Sequence, residues 1–386
     1  LHLGPFAATE RASTPDGSYP NALQSDYFGW TLSGPGEVNG DVYDDFIIGG
    51  PLTDTSVGAD AGMIYLIPGA VAGYSANLST FTYVSGAAAG DQFGYDVALI
   101  GDVDGDTYSE FIVGAPYQDN PAVDAGRVYF YYTPLSGSAQ AADGILKGEA
   151  TLDHLGWAVA GARDLDGDGF DDFIVSAPDN DAVASAAGKA YLFLNPPSGT
   201  VNATTADAFF RGAAASDQLG YDLAMAEDIN GDGTDDLIIG APGNDDAGSG
   251  YGKAYLWWGE AFSGTYAASS ADESIVGTYT NDGIGYRVAG AGDINQDGYG
   301  DVLAAGPLSS DFATNAGKVL YVHGPVTNRT PFIWMGATAN DEAGRGLAAV
   351  DDQDLNGFPE YAIGSQDANA NAYGEVYVRQ GATSNR

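Results

Sequence analysis

Six short acidic segments carry the residues of this chain that could do chemistry. Each follows the pattern Asp/Glu-x-Asp/Asn-x-Asp/Asn-x-x-x-Asp/Glu and precedes an apolar run, as residues 164–172 precede Phe-Ile-Val-Ser-Ala-Pro. Alternate side chains of a tight loop can converge on one point, and Ca²⁺ prefers carboxylate, amide and carbonyl oxygens as ligands. The pattern therefore predicts six calcium loops, each opening into a buried strand.

The predicted ligands occupy the same places in every loop: side-chain oxygens at positions 1, 3, 5 and 9, and a backbone carbonyl at position 7. The side-chain ligands are Glu37, Asn39, Asp41 and Asp45; Asp102, Asp104, Asp106 and Glu110; Asp164, Asp166, Asp168 and Asp172; Asp228, Asn230, Asp232 and Asp236; Asp293, Asn295, Asp297 and Asp301; and Asp352, Asp354, Asn356 and Glu360. The carbonyl donors are Tyr43, Tyr108, Phe170, Thr234, Tyr299 and Phe358. Because most of these donors are aromatic, we expect their side chains to turn toward the core.

Two other interpretations of the acidic segments were weighed. An EF-hand needs a Glu at its twelfth position and flanking helices, whereas here the twelfth position is apolar and the flanks are typical of strands. Metal-free hairpin turns, held by Asp and Asn side chains bonded to their own backbone, are the second alternative. Converging carboxylates repel each other without a cation, and six segments in register favour about six bound Ca²⁺ ions.

The six loops are not equal. Position 6 is a glycine in the last four, Gly169, Gly233, Gly298 and Gly357, where a sharp turn can require positive φ, but it is Val42 and Thr107 in the first two. We expect the first loop to be the weakest site because Glu37 is longer than Asp. The sixth ranks next because Asn356 and Pro359 depart from the pattern.

A second mark precedes each loop: an apolar residue followed by Gly29, Gly94, Gly156, Gly220, Gly285 or Gly344, with successive glycines 59 to 65 residues apart. This period matches a four-stranded unit, and the second repeat shows apolar runs at 95–100, 110–113, 126–132 and 145–148. One such sheet cannot bury both faces, whereas sheets arrayed around an axis bury each other. The sequence predicts an all-β fold, a β-propeller formed by residues 1–386 as a single domain.

The length of the last repeat predicts six four-stranded blades rather than seven. Only 42 residues follow Gly344, enough for three strands. A strand near residues 1–8 could complete the last blade and close the ring by pairing the two termini.

Composition restricts the partners. The chain has 53 acidic and 13 basic residues and a net charge of −40, which disfavours nucleic acid and anionic membranes as partners. Twenty of the acidic residues lie at predicted ligand positions.

No cysteine, membrane-spanning apolar stretch or N-terminal signal segment is present in this sequence. The three histidines fall at unrelated places in the repeat and no nucleophile motif accompanies them, so we expect no enzyme activity.

The Phe-Gly mark, the calcium loop and the following Gly-Ala-Pro together resemble the FG-GAP repeats of integrin α propellers, over essentially the whole chain. The resemblance implies calcium loops on one face, a partner-binding face opposite, and an extracellular or cell-surface location. Integrin α subunits have seven repeats with loops in only some of them, whereas this chain has six repeats with loops in all. Without cysteines or a stalk it looks like a bacterial relative, and we expect a monomer.

The residues directly after the marking glycines form the predicted partner-binding ring: Trp30, Tyr95, Trp157, Tyr221, Tyr286 and Arg345. In integrin α subunits the residue at this place contributes to an aromatic cup that receives a basic side chain. The resemblance implies a similar cup here, with Arg345 lying across it by a cation–π contact. The alternative is that these aromatics simply pack the mouth of the central channel.

Three functional classes follow. The first is a calcium-binding propeller that binds a protein in adhesion or surface assembly, as the resemblance implies. The second is a carbohydrate-binding, lectin-like propeller. The third is a calcium-dependent polysaccharide-active enzyme or its accessory domain.

Overall fold

The chain folds into successive groups of short strands, one group for each predicted repeat. The computed structural model describes residues 26–41, 43–69, 81–135, 137, 140–259, 261–326, 330–350, 352, 357–366 and 374–380. The first repeat contains β1 (Thr31–Gly36), β2 (Asp45–Gly50), β3 (Met63–Ile67) and β4 (Thr82–Ser85). The second contains β5 (Val97–Gly101), β6 (Glu110–Ala115), β7 (Arg127–Tyr131) and β8 (Gly144–Lys147).

The third and fourth repeats each contain one additional strand and a short 3₁₀ helix. The third repeat contains β9 (Val159–Arg163), β10 (Asp172–Ala177), β11 (Lys189–Phe193), the additional β12 (Gly199–Asn202) and β13 (Ala208–Arg211). The fourth contains β14 (Leu223–Ala226), β15 (Asp236–Ala241), β16 (Lys253–Trp257), the additional β17 (Gly264–Ala267) and β18 (Glu273–Val276). The 3₁₀ helices are Ala203–Thr205 and Ala268–Ser270.

The last two repeats return to the simpler pattern. The fifth contains β19 (Arg287–Gly292), β20 (Asp301–Gly306), β21 (Lys318–Val322) and β22 (Phe332–Met335), and the sixth β23 (Gly346–Val350), β24 (Glu360–Ser365) and β25 (Glu375–Gln380). Neighbouring strands of a repeat pair antiparallel, as β5 to β8 do. The architecture is the predicted all-β propeller of six blades. The N-terminal strand predicted to close the ring lies outside the described residues.

Two compact units divide the chain, residues 1–177 with 191–207, and residues 178–190 with 208–386. In the first unit, one apolar cluster packs Ile47 and Ile64 with Phe111 and Val113, side chains of the first and second repeats. In the second unit, one cluster joins the fourth and fifth repeats and another the fifth and sixth. Apolar side chains of successive repeats therefore bury each other within each unit, as a propeller requires.

In the second to fifth blades the second strand is buried along its whole length, because both of its faces pack against neighbours. All six residues of β6, β10, β15 and β20 are buried, whereas the first strand of a blade is only partly so. A polar residue in the middle of such a strand would lose its water, which explains the Phe-Ile-Val and Leu-Ile-Ile sequences there.

A close approach of two backbones explains the glycine of the mark before each loop and the glycine of the Gly-Ala-Pro segment after it. A Cβ placed on Gly114 in β6 would lie 2.0 Å from the carbonyl oxygen of Gly156, the mark of the next repeat. Gly240 and the mark Gly285 repeat the arrangement at 1.9 Å. The marking glycine of one repeat therefore packs directly against the glycine of the Gly-Ala-Pro segment in the preceding repeat.

We expect Gly114→Ala to lower the free energy of unfolding by about 1–3 kcal/mol, because the added methyl must displace backbone. The measurement is urea unfolding followed by tryptophan fluorescence. Gly346→Ala in β23 is the matched control, since a Cβ there meets no atom within 4 Å. Equal effects of the two substitutions would contradict the close-approach account.

Candidate metal centres and partner-binding ring

Each acidic loop joins the first and second strands of a blade, and its ninth residue is the first residue of the second strand. These six carboxylates are between 0 and 2% exposed: Asp45, Glu110, Asp172, Asp236, Asp301 and Glu360. The strand therefore fixes one predicted ligand in the core, while the side chain at position 5 is exposed in each of the first five loops.

Backbone amides hold the buried carboxylate from two directions. In the fourth loop Asp236 accepts a hydrogen bond from the Ile229 N–H at 2.8 Å and another from the Gly259 N–H at 2.7 Å. Asp301 does the same with Ile294 at 3.1 Å and Gly324 at 2.9 Å. The ninth residue thereby ties the loop to the end of the third strand.

The first residue of the loop folds the turn around its own carboxylate. Asp164 accepts hydrogen bonds from the N–H groups of Gly167 at 2.7 Å and Gly169 at 2.9 Å. Gly169, Gly233, Gly298 and Gly357 have φ between +90° and +96°, as the sequence predicts for position 6. Thr107 occupies that position in the second loop with φ +79°, a conformation that a side chain with a branched Cβ adopts at a cost in strain.

Within the part of the chain that the structure describes, two loops bring three carboxylates together. Ligand oxygens of Asp102, Asp104 and Glu110 lie within 4.8 Å of one another, and so do those of Asp164, Asp166 and Asp172. The Oδ1 atom of Asp172 is buried and accepts no hydrogen bond from the protein. Oxygen-only donors with an unsatisfied buried carboxylate oxygen fit a hard divalent cation such as Ca²⁺.

The electrostatics of these clusters agree with that fit. Burial raises the pKa of Asp172 to about 7, and the carboxylates of Asp166, Asp164 and Asp168 raise it as well. Burial likewise raises the pKa of Glu110 to about 7 and that of Asp236 to about 6. These carboxylates are costly to ionise without a cation, because burial and mutual repulsion both act against the charged form.

Loops with Asn at position 3 are arranged differently. Asn39 donates to Asp45 at 2.8 Å, and Asn230 donates to Asp232 at 2.8 Å. The Asn amide thus replaces one repulsive pair of carboxylates by a hydrogen bond. In the sixth loop Asp354 and Asn356 lie outside the described residues, so its ligand set, like that of the others, stays a prediction.

The expectation that position 7 side chains turn toward the core is wrong. Tyr43 is 43% and Phe170 38% exposed, and the other four are not buried either. The Phe170 ring instead lies over the preceding loop, 3.3 Å from where a Cβ on Gly105 would be, and Tyr108 lies at the same distance over Gly40. A side chain at Gly40 or Gly105 would therefore require the aromatic residue above it to shift slightly.

Backbone hydrogen bonds also join successive loops. The N–H at position 8 donates to the carbonyl at position 1 of the preceding loop in three pairs: Ser109 to Glu37 at 2.8 Å, Asp171 to Asp102 at 3.4 Å and Gly300 to Asp228 at 2.7 Å. In the sixth loop position 8 is Pro359, which has no N–H to donate.

Sequence analysis missed His323. Its Nδ1 lies 3.2 Å from Oδ2 of Asp301 and within hydrogen-bonding distance of the Asn295 amide, and Tyr321 also donates to Asp301 at 2.9 Å. The strand register explains this contact. Val302 pairs with Val322 in an antiparallel pair, so Asp301, which precedes Val302, lies opposite His323, which follows Val322. Among the described residues, a buried loop carboxylate faces an imidazole in the fifth loop.

The residues of the predicted partner-binding ring contact one another within each unit. In the first unit the Tyr95 ring lies 5.8 Å from Trp30 and 4.8 Å from Trp157. In the second unit the Tyr221 and Tyr286 rings lie 4.7 Å apart, and the Arg345 guanidinium lies 5.1 Å above Tyr286. Arg345 also donates to the Tyr286 hydroxyl at 2.5 Å. The arrangement can receive a cation, and binding of a partner there stays a prediction.

Three stretches of the chain match the model for the FG-GAP repeat, residues 93–131, 155–193 and 219–257. Integrin alpha-V from Gallus gallus is 29% identical over 233 residues, which cover 58% of this chain and 21% of that protein. Integrin alpha-PS2 from Drosophila melanogaster is 31% identical over 190 residues, covering 47% and 13%, and integrin alpha-IIb from Mus musculus is 30% identical over 216 residues, covering 54% and 20%. The chain thus spans about a fifth or less of these relatives.

The fold and the matched repeats define a β-propeller that contains FG-GAP repeats. Over the aligned residues the chain is similar to one part of the integrin α subunits. Across the described residues, no helix is long and apolar enough to cross a membrane.

Asp166→Ala should reduce bound calcium by one ion and lower the melting temperature in calcium, because it removes one of three converging carboxylates. Melting by differential scanning calorimetry and metal analysis of the dialysed protein are the measurements. Asp54→Ala is the matched control: both carboxylates are exposed and each accepts one backbone N–H, at 3.0 and 3.1 Å. A loss of melting temperature of the same size in both variants would refute the metal role of Asp166.

The raised pKa values predict how stability depends on pH. A carboxyl whose pKa is higher in the folded state binds its proton more tightly there, so calcium-free protein should lose stability as pH rises from about 4 toward 7. Calcium should flatten this dependence, since it favours the ionised carboxylates. Urea unfolding between pH 4.5 and 8, with calcium or with a chelator, measures both curves; parallel curves would contradict the prediction.

Proposed function

We propose that this protein is a calcium-binding, integrin-like propeller that acts as a protein-interaction module, with calcium a structural component of the blade loops. The observation that carries the proposal is the convergence of Asp164, Asp166 and Asp172, which offer carboxylate oxygens within 4.8 Å of one another. Six loops of one pattern extend it to about six ions.

Three residues of the third loop have different roles in the proposed site. Asp164 folds the turn through backbone hydrogen bonds, and the second strand holds Asp172 in the core. Asp166 then completes the cluster from the solvent side. Calcium, when bound, supplies the positive charge that offsets the repulsion of these carboxylates, so its binding adds to folding stability by mass action.

The proposed partner surface is the ring of residues that follow the marking glycines, on the face opposite the calcium loops. Its aromatic faces suit a basic side chain of a protein partner. In the second unit Arg345 lies against Tyr286, where an incoming cation would lie. We propose an extracellular or cell-surface location, because the relatives are integrin α subunits.

A calcium titration tests the proposal. Chelator-treated protein should bind about six ions, and calcium at about a hundred times its dissociation constant should stabilise the fold by about 2.7 kcal/mol for each independent site of that affinity. Isothermal titration calorimetry counts the ions, and thermal melting follows stability. Saturation with no ions bound and no change in melting would refute the calcium proposal.

Arg345→Ala tests the partner surface. It should strengthen the binding of an arginine-containing peptide by about 2- to 30-fold, because it exposes a ring face that contributes about 0.5–2 kcal/mol. Fluorescence anisotropy with a labelled Arg-Arg-Gly-Arg-Arg peptide measures the change. Arg379→Ala is the control, since Arg379 lies 5.4 Å above Trp334, outside the ring. Unchanged affinity in Arg345→Ala would contradict internal occupation of the ring.

A further inference from the structure

Lys318, the first residue of β21, is a buried lysine with two carboxyl groups beside it. Its side chain is 1% exposed, and those of Asp282 and Asp311 are 0% and 7% exposed. The Lys318 Nζ donates to Asp282 Oδ2 at 2.9 Å, to Asp311 Oδ2, and to the Thr278 hydroxyl at 2.8 Å. One amine therefore meets two carboxyl groups at a place that water hardly reaches.

The corresponding lysine of the fourth repeat has different surroundings. Lys253 is the first residue of β16, as Lys318 is of β21. It forms an ion pair with Asp246 at 2.8 Å, but the two side chains are 15% and 58% exposed. That pair keeps its charges close to water, whereas the cluster of the fifth repeat holds an amine and two carboxyl groups inside the protein.

The two carboxyl groups beside Lys318 differ in their hydrogen bonds. Asp282 accepts the N–H groups of Thr278 and Tyr279 at 2.8 and 2.9 Å and the Ser309 hydroxyl at 2.8 Å. Burial acts against its ionisation, but the bond from Lys318 and these other bonds hold the pKa of Asp282 below its usual range. Asp282 is therefore a stable carboxylate.

Asp311 has the opposite tendency. Burial raises its pKa despite the hydrogen bond from Lys318, and the negative charge of Asp282 raises it as well. Ionising both carboxyl groups would leave a net negative charge buried around one lysine, which is costly. The cluster therefore favours a neutral carboxylic acid at Asp311 beside a carboxylate at Asp282.

An amine, a neutral carboxylic acid and a proton acceptor are the groups that form an amide bond. A desolvated lysine amine is a nucleophile, and a carboxylic acid is a better acceptor for it than a carboxylate is. Holding the two groups in contact makes the step intramolecular, and the exclusion of water favours condensation over hydrolysis.

We propose that the side chains of Lys318 and Asp311 are joined by an amide bond that the folded protein forms by itself. Asp282 takes a proton from the Lys318 ammonium, which makes the amine neutral. Nζ then attacks Cγ of protonated Asp311 and the N–C bond forms. The C–OH bond breaks with its electron pair going to oxygen, and this oxygen leaves as water with a proton from the nitrogen. The step needs no oxidant or further reactant.

The bond ties the loop between β20 and β21 to the first residue of β21. That loop carries Leu308 and Phe312, which are 44% and 65% exposed. It follows β20, whereas the fifth acidic loop precedes β20, so the two loops lie at opposite ends of this strand. The proposed bond is thus separate from the calcium loops and does not depend on the function proposed above.

Mass spectrometry of the intact full chain, folded in calcium and then denatured, tests the proposal. The mass should be lower than that of the sequence by one water molecule. Trypsin should not cleave after Lys318, so residues 288–329 should appear as one peptide that has lost one water. A succinimide at an Asp-Gly sequence also loses one water, but it leaves the cleavage after Lys318 intact.

Substitutions assign the roles. Lys318→Arg keeps the positive charge without the amine, and Asp311→Ala removes the acceptor, so both variants should have the full mass of their own sequences. Asp282→Asn removes the proton acceptor and should leave most chains unlinked. Asp246→Ala, in the exposed pair of the fourth repeat, is the matched control and should still show the loss of one water. Circular dichroism checks that each variant is folded.

The proposal is overturned if the parent chain has the mass of its sequence, or if trypsin cleaves it after Lys318. These two results come from the unsubstituted protein, so they do not depend on whether a variant folds. The proposal is also overturned if the loss of water joins residues 254–287 to residues 288–329, because the bond would then lie at Asp282.

Discussion

The structure depends on a carboxylate buried at the start of the second strand in every blade. In the first, second, fourth and fifth blades that carboxylate accepts backbone N–H groups from the acidic loop and from the end of the third strand, as Asp236 does with Ile229 and Gly259. Three strands therefore meet at one charged group that water cannot reach. The other carboxylates of the loop lie close to this buried group. They accept hydrogen bonds from the backbone of the turn, but their negative charge increases the cost of ionising the buried carboxylate. Burial and mutual repulsion of these carboxylates therefore favour a bound cation at the loops.

The contacts between successive loops spread this requirement beyond single sites. A loop donates the N–H of its eighth residue to the preceding loop and lays its seventh side chain over that loop's glycine, as Asp171 and Phe170 do with Asp102 and Gly105. The position of one carboxylate set therefore depends on whether its neighbour is folded. Pro359 removes the hydrogen bond from the sixth loop, which gives a structural reason for its departure from the pattern beyond its ligand set.

The sequence predicted those features that lie within one repeat. The four strands, the acidic loop and the positive φ at Gly169 all depend on residues close together in the chain, so spacing and residue type were sufficient. The orientation of Phe170 depends on a glycine in the previous repeat, and the approach of His323 to Asp301 depends on strand register. Likewise β12 and β17 were not predicted, because their pairing partners belong to the preceding blade. Features missed by sequence analysis are therefore contacts between elements distant in the chain.

The match to the FG-GAP model covers the second to fourth repeats, yet the described parts of the other three have the same strand order. The fifth repeat shows why a blade can form without a recognisable FG-GAP motif. Where the second and fourth have Gly114 and Gly240, it has Ala305, which is buried. A Cβ on the facing mark, Gly344, would lie 2.5 Å from the Cβ of Ala305, so that mark must remain glycine even though the residue before it is Ala343 instead of a larger apolar residue. The close approach of two backbones therefore needs a glycine on at least one side, whereas the size of the apolar residue before the mark can vary. Repeats can lose the recognisable motif and keep the blade, provided that one glycine remains at this contact.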